Sequence, residues 1–163
     1  MMEISVRNAG APDLGRIVAL NNQVQRLHAE AQPDDFLFPT NAEDVSDFFA
    51  TLLDDDSQTL LLAIADGDVI GYLWYQTQHR QPNPFTKSIS RLCIHHVVVD
   101  EQHRRLGVAG RLFEQVEKDA RSRGLAEFTL DTWAFNKEAH DFFKAQGFQP
   151  SRYILRKTLS EHE

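Results

Sequence analysis

The chain has 163 residues, 42% of them hydrophobic, and 24 acidic side chains against 17 Lys and Arg give a formal net charge of −7 at pH 7. That length suits one globular domain, and the negative charge argues against a nucleic-acid partner. No apolar run approaches the length of a membrane span, and Met1-Met2-Glu3 lacks the charged-then-apolar start of a signal peptide, so we expect a cytoplasmic protein without a membrane partner.

Hydrophobic periodicity predicts strands and helices along the whole chain. In chain order these are a strand over 4–7, helices over 13–30 and about 42–53, strands over 59–65 and 69–75 joined by the hairpin signal Asp66-Gly67-Asp68, a strand over 90–99, a helix from Val108, a strand over 127–132, a helix after Asn136 and a last strand over 149–159. A mostly antiparallel start followed by strands connected through helices indicates an α+β fold. The single cysteine, Cys93, falls in the 90–99 strand, where we expect a small buried residue rather than a nucleophile.

The segment from Val97 to Leu112 carries the strongest functional signal, because it leads from an apolar strand through a basic loop into an amphipathic helix. Small residues at Gly107, Ala109 and Gly110 let main-chain N–H groups of the first helical turn approach an oxyanion, which the helix N-terminus also attracts. Positive charge is concentrated here on an acidic chain, at Arg104, Arg105 and Arg111. The segment therefore predicts an anion site that suits a pyrophosphate.

Other phosphate-binding loops differ from this one in sequence. The chain has no Gly-x-x-x-x-Gly-Lys-Ser/Thr motif, and Gly107-Val108-Ala109-Gly110 lacks the Gly-x-Gly-x-x-Gly spacing of a dinucleotide-binding turn. A tight turn before a helix, with no ligand, is the alternative that the loop alone leaves open.

Two motifs resemble those of the GCN5-related N-acetyltransferase (GNAT) family. Arg104-x-x-Gly107-x-Ala109 is similar to the family's acyl-CoA loop, Arg/Gln-x-x-Gly-x-Gly/Ala. The stretch Asn136-x-x-Ala139-x-x-Phe142-Phe143-x-x-x-Gly147-Phe148 is similar to its second CoA motif, Asn-x-x-Ala-x-x-Phe-Tyr-x-x-x-Gly-Phe. The resemblance implies one acyl-CoA N-acyltransferase domain over residues 1–163, with a mixed central sheet of about six to seven strands, splayed fourth and fifth strands and about four flanking helices.

Site residues follow from the resemblance by position, with acetyl-CoA as the cosubstrate. Main-chain groups at the end of the fourth strand would pair with the pantetheine arm, at Val97, Val98 and Val99. The loop would bind the pyrophosphate, at Arg104, Arg105, Gly107, Val108, Ala109 and Gly110. Asn136 and Phe143 would flank the pantetheine and thioester, although helix capping by Asn136 and a left-handed stop at Gly147 also explain part of the second motif.

His95 and His96 are the candidates for the general base, since an imidazole with a pKa of about 6.5 can deprotonate an ammonium acceptor. Strand alternation predicts that the two rings lie on opposite faces, and the family register favours His95, on the side of Cys93. Two hydrogen-bonded structural histidines are the alternative. We expect no metal site, because adjacent strand residues diverge and no His-Glu-x-x-His motif or cysteine pair accompanies them.

Phe143 departs from the family motif, which has a Tyr general acid at this place. Either the CoA thiolate leaves unassisted or through water, or Tyr72, Tyr75 or Tyr153 supplies the proton, or catalysis is lost. The function predicted from the resemblance is acetyl transfer to a primary amine by direct attack. A catalytically weak acyl-CoA-binding sensor or regulatory module is the alternative.

The acceptor site is placed by the resemblance at residues 25–38 and 76–87. Candidate lining residues there are His28, Asp34, Asp35, Phe36 and His79, although a solvated charge run also explains the two aspartates. The acidity of the chain favours a cationic small-molecule or peptidyl amine. The resemblance also allows a homodimer.

Overall fold

The computed structural model describes residues 2–161 and divides them after Asp131 into two units. The first unit contains β1 (Ser5–Asn8), α1 (Leu14–Ala31), α2 (Ala42–Leu53), β2 (Gln58–Ala65), β3 (Asp68–Arg80), β4 (Ile89–Val99), α3 (Val108–Ser122) and β5 (Phe128–Leu130). Short 3₁₀ turns precede α1 and α3, at Ala11–Asp13 and Glu101–His103. The second unit contains α4 (Lys137–Ala145). No helix between residues 2 and 161 combines the length and the apolar composition needed to cross a membrane.

The five strands form one sheet in chain order, antiparallel from β1 to β4 and parallel between β4 and β5. The turn between β2 and β3 has positive φ angles at Asp66 and Gly67, as the predicted hairpin requires. β5 pairs with β4 only over Leu92–Ile94, whereas β4 continues to Val99. This early separation agrees with the splayed fourth and fifth strands expected from the family resemblance.

Two hydrophobic layers cover the sheet. On one face, α1 and α2 pack against the strands through Ile17, Leu20, Phe49, Leu52, Leu60, Leu62, Tyr72 and Val98. On the other face lies α3, whose Leu112 and Val116 are fully buried and whose Asp119 accepts a hydrogen bond from the Tyr75 hydroxyl at 2.7 Å. Because side chains alternate along β3, Tyr72 and Trp74 lie on the face of α1 and α2, and Tyr75 lies on the face of α3.

The α+β class and the four helices are confirmed, but the described residues hold five strands rather than six to seven. The strand expected over 149–159 is absent, and residues 149–161 form no regular element. A strand satisfies its main-chain groups by pairing with a neighbour, and no described residue after Leu130 takes part in the sheet. β5 is also shorter than the predicted 127–132, and β3 is longer than the predicted 69–75.

Candidate active site

The loop between β4 and α3 begins at Asp100, whose nearly buried carboxylate ties the loop to α1. Asp100 accepts hydrogen bonds from Gln23 Nε2 at 2.9 Å, His103 Nδ1 at 3.0 Å and Arg16 Nη2 at 3.2 Å. Burial acts to raise the pKa of Asp100, but the bonds from Gln23 and His103 and the charge of Arg16 outweigh it and hold the pKa below its usual range. Gln23 also accepts the Glu101 N–H at 3.0 Å. Sequence reasoning missed Asp100, since its only signal was its place directly after a strand.

The start of α3 presents main-chain donors beside open space. Gly107, the residue before the helix, has φ of +82°, a left-handed conformation that glycine adopts without strain. The first helical bond runs from the Arg111 N–H to the Gly107 carbonyl at 3.1 Å, so the N–H groups of the three preceding helical residues have no acceptor within the helix. A Cβ atom added to Gly110 would meet nothing within 4 Å. These features are what an oxyanion site requires.

The three arginines of this region differ in whether they already form an ion pair. Arg111 contacts Glu114 and the Ile4 carbonyl, so its charge is already paired. Arg104 and Arg105 are exposed and form no ion pair within residues 2–161. Only two of the three predicted cations therefore remain for an anionic ligand.

The three valines at the end of β4 also differ from one another. The Asp100 N–H donates to the Ile70 carbonyl on β3 at 2.9 Å, and the register of the two strands places Val98 on the same hydrogen-bonding side. Val98 is 4% exposed and belongs to the core. Val97 and Val99 direct their N–H and C=O groups the other way, to the side on which β5 has stopped pairing. Their main-chain groups are the ones placed to meet a ligand, whereas those of Val98 face β3.

β4 has a β-bulge at His95. Trp74 pairs with His96 and Tyr75 pairs with Ile94, so His95 is one extra residue on β4. Both imidazoles lie against the indole of Trp74, with ring centroids 4.4 Å away for His95 and 4.9 Å away for His96. The prediction that the two rings lie on opposite faces is wrong, because it assumed a regular strand.

His96 belongs to a buried hydrogen-bond chain. Asn21 Nδ2 donates to the Tyr72 hydroxyl oxygen at 3.1 Å, and the Tyr72 hydroxyl in turn lies 3.1 Å from His96 Nδ1. Burial, with a smaller contribution from the neighbouring His95 and His28, lowers the pKa of His96 to about 4. His96 is therefore neutral at pH 7.

His95 is the more accessible of the two rings. Its Nε2 lies 3.0 Å from Gln76 Oε1 on β3. Burial lowers the pKa of His95, and the nearby carboxylate of Asp131 acts in the opposite direction. His95 is thus also neutral at pH 7, in the form that can accept a proton.

Two tyrosines considered as proton donors are hydrogen-bonded within the core. The Tyr75 hydroxyl donates to Asp119 on the α3 face, away from His95, and burial raises the pKa of Tyr75 to about 12. Tyr72 is fully buried, between Asn21 and His96 in the hydrogen-bond chain described above, and burial also raises the pKa of Tyr72. Tyr153, in the second unit, is 81% exposed.

In the second unit, α4 is capped at both ends as its sequence predicts. Asn136 Oδ1 accepts the Ala139 N–H at 3.3 Å, which confirms its capping role, whereas its contact with CoA stays a prediction. Gly147 has φ of +95°, and the Phe148 N–H donates to the Phe143 carbonyl at 3.0 Å, which forms a Schellman stop. The Phe143 ring lies 5.7 Å from that of Phe142 and 5.9 Å from that of Phe148.

The predicted acceptor residues fall in two places. The His28 ring stacks on Phe36, with centroids 4.9 Å apart, and an open groove of about 580 Å³ beside them is lined by Arg26, Ala29, Glu30, Pro33, Phe36 and Phe38. His79 lies toward the far end of β3, where its Nδ1 is 2.9 Å from Ser90 Oγ. Asp34 and Asp35 are exposed. Within the described part of the chain, no group of three or more His, Cys, Asp or Glu side chains is arranged to hold a metal ion.

A family model described as the acetyltransferase (GNAT) family matches residues 21–148, well over half of the chain. The chain belongs to the GNAT family. The match covers the bulged β4, the loop, α3 and the Asn136 motif.

The chain is also similar to curated proteins in sequence and to solved structures in fold. The chain is 24% identical over 98 residues to the uncharacterized N-acetyltransferase YycN of Bacillus subtilis (strain 168), an alignment that covers 60% of this chain and 59% of that protein. A tetramutant of the BH1408 protein from Bacillus halodurans shares the fold with a TM-score of 0.88 at 19% identity, over 95% of this chain and 99% of that one. Aminoglycoside N-acetyltransferase AAC(6')-Iy, solved in complex with CoA, has a TM-score of 0.77 at 19% identity, over 98% and 96% of the two chains.

Proposed function

We propose that the chain is an acetyl-CoA-dependent N-acetyltransferase that acts on a primary amine. The observation that carries the proposal is the start of α3, where main-chain N–H groups with no acceptor in the helix lie beside the open space at Gly110 and next to the exposed Arg104 and Arg105. Such a site suits a pyrophosphate. Membership of the GNAT family, and the CoA complex of a structural neighbour, support acetyl-CoA as the cosubstrate.

Acetyl-CoA supplies the acetyl group as a thioester that an amine can attack. The main-chain groups of Val97 and Val99 would hold the amides of its pantetheine arm, and Asn136 and Phe143 would flank the thioester. His95 acts as the general base: it accepts a proton as an N–H bond of the acceptor breaks, and the freed amine lone pair attacks the acetyl carbon. The accessibility of His95 and its neutrality at pH 7 support this role.

No side chain is assigned to protonating the departing sulfur. Phe143 has no proton to give, and the Tyr75 hydroxyl already donates to Asp119. A thiol has a pKa of about 8.5, so the thiolate is a tolerable leaving group without a protein acid. We therefore propose departure unassisted or through water.

The proposed acceptor is a cationic primary amine on a small molecule or a peptide. The net charge of −7 attracts cations, and His28 and Phe36 offer a stacked pair near the predicted acceptor segments. Because AAC(6')-Iy is an aminoglycoside N-acetyltransferase, aminoglycosides belong in the acceptor panel together with polyamines, amino acids and lysine peptides. We further propose that residues 1–163 act as one domain, since the family match runs across both units.

The test of this site is Gly110→Glu, with Gly15→Glu as the matched control. Both glycines lie in the first turn of a helix, and a Cβ at either position meets nothing within 4 Å, so both variants should fold. A carboxylate at position 110 would obstruct and repel a pyrophosphate, and we expect calorimetry to show a loss of acetyl-CoA affinity of at least about 10-fold. Gly15→Glu should bind like the wild type. Unchanged affinity in a folded Gly110→Glu variant would refute the assignment.

A second candidate function, an acyl-CoA sensor without turnover, is favoured by one observation, the Phe at position 143. Thiol release measured over the acceptor panel separates the two functions. Release with any amine supports the enzyme, whereas CoA binding with no release from the whole panel supports the sensor.

A further inference from the structure

The contact between His95 and Gln76 determines which nitrogen of His95 is basic. The bulge leaves the main chain of His95 without a pairing partner on β3. The His95 ring lies over Trp74, tilted by 34°, with Nε2 at 3.0 Å from Gln76 Oε1. An amide oxygen only accepts hydrogen bonds, so this contact is a hydrogen bond when Nε2 carries the proton. A neutral imidazole has one proton, and the basic lone pair is therefore on Nδ1.

The neighbouring His96 has the opposite arrangement. Asn21 Nδ2 can only donate to the Tyr72 oxygen, and the buried Tyr72 hydroxyl must itself donate to some acceptor. The acceptor within reach is His96 Nδ1 at 3.1 Å. The lone pair of His96 is thus used inside the core, which leaves Nδ1 of His95 as the basic nitrogen of the histidine pair.

We propose that Gln76 is a positioning residue, which fixes the tautomer and the ring plane of His95 so that Nδ1 takes the proton of the acceptor. The inference rests on the proposed function, because it names the atom of the proposed base. As the N–H bond of the amine substrate breaks, an Nδ1–H bond forms on His95. The hydrogen bond from Nε2–H to Gln76 Oε1 is kept throughout. Charged or titratable neighbours of the ring are Asp131 after β5 and His96 on β4, with His28 of α1 acting on His96.

The test uses Gln76→Met, which keeps the side-chain length and removes the acceptor oxygen. Gln78→Met is the matched control, since Gln78 is on the same strand but pairs with Arg91. Tautomers are read from ¹H–¹⁵N correlations of ¹⁵N-histidine-labelled protein, and a His95→Gln variant assigns the His95 signals. We expect the Nε2–H tautomer in the wild type and in Gln78→Met, and a mixture of tautomers in Gln76→Met with kcat lower by about 10-fold.

A second variant, Gln76→Glu, gives a readout that a purely structural role would not move. A carboxylate in place of the amide favours the imidazolium form, so the ¹⁵N titration of His95 and the acid limb of kcat/KM should move together to higher pH. An Nδ1–H tautomer in the wild type, or the wild-type tautomer retained in Gln76→Met, would overturn the inference even in an active enzyme. Absence of acetyl transfer in the wild type would count against the proposed function and not against the tautomer of His95. The tautomer is measured by NMR and does not depend on turnover.

Discussion

At the scale of single residues, His95 and His96 are adjacent in sequence but differ in what surrounds them. His96 contacts Tyr72 and Phe49, whereas His95 is more accessible and its Nε2 contacts Gln76 Oε1. The difference arises from the bulge, which places both rings on one face but at different depths. One extra residue in a strand thus gives two identical side chains different surroundings.

We expect His95→Ala to lower kcat/KM by about 100-fold or more, because a general base contributes roughly that much. His96→Ala should retain most of its turnover but unfold more easily, since it leaves the buried Tyr72 hydroxyl without its acceptor at a cost of about 1–3 kcal/mol. Steady-state kinetics and urea denaturation measure the two effects. Because the pKa of His95 is lowered, the acid limb of the wild-type profile should lie below pH 6.5. Two folded variants that both keep wild-type turnover would leave the pair with a structural role alone.

Phe143 allows a direct test of the missing acid. If protonation of the departing sulfur limits the rate, Phe143→Tyr should raise kcat, and if water already serves, kcat should change by less than about 2-fold. Phe143→Leu is the control for packing, which should cost no more than about 1–2 kcal/mol of unfolding free energy. A wild-type protein that shows no turnover and gains it only with Phe143→Tyr would favour the acyl-CoA sensor over the enzyme.

At the scale of elements, β3, β4 and α3 meet at Gly71, next to Val108, the first residue of α3. A Cβ on Gly71 would lie 2.9 Å from the Val98 carbonyl oxygen and 3.2 Å from Val108 Cγ1, and the first of these atoms belongs to the main chain. Gly71 therefore allows β4 and the first residue of α3 to approach β3 closely.

Gly71→Ala should lower the unfolding free energy by about 1–3 kcal/mol through overpacking and should weaken acetyl-CoA binding by shifting the start of α3. Gly15→Ala is the control, because its Cβ meets nothing within 4 Å and a helical alanine is stabilising by up to about 1 kcal/mol relative to glycine. Urea denaturation and calorimetry measure both. Equal stability of Gly71→Ala and the wild type would show that the contact is relieved without strain.

Sequence periodicity predicts most of the helices and strands, because apolar residues recur with the period of a helix or of a strand. The bounds of α2 agree with the sequence, and the capped ends of α4 follow from Asn136 and Gly147. The bulge at His95 has no such signature, since it depends on the pairing of two strands. The same holds for the contacts of Asp100 with Arg16 and Gln23 on α1, which are distant in sequence. It also holds for residues 149–159, whose alternating pattern predicts a strand but does not provide a pairing partner.

At the scale of the whole molecule, three histidines with lowered pKa values and one ion-paired carboxylate make the unfolding free energy depend on pH in two separate ranges. Burial lowers the pKa of His96 to about 4 and lowers those of His28 and His95 as well. The bond from Arg7 lowers the pKa of Asp13 to about 2. A group with a lowered folded-state pKa stabilises the fold above its unfolded pKa, and that contribution is lost as the pH falls toward the folded value.

The first loss of stability should therefore begin below about pH 6.5, the unfolded histidine pKa, and continue toward pH 4, while the Asp13 contribution is lost only below about pH 4. For His96 alone we expect the unfolding free energy to fall by about 1–2 kcal/mol between pH 7 and pH 5. Urea denaturation at pH 7, 6 and 5 measures this change. His96→Gln should reduce the slope, because a glutamine cannot titrate, whereas Asp13→Asn should leave the slope in this range as it is. A wild-type unfolding free energy that stays constant from pH 7 to pH 5 would contradict the burial of a neutral His96.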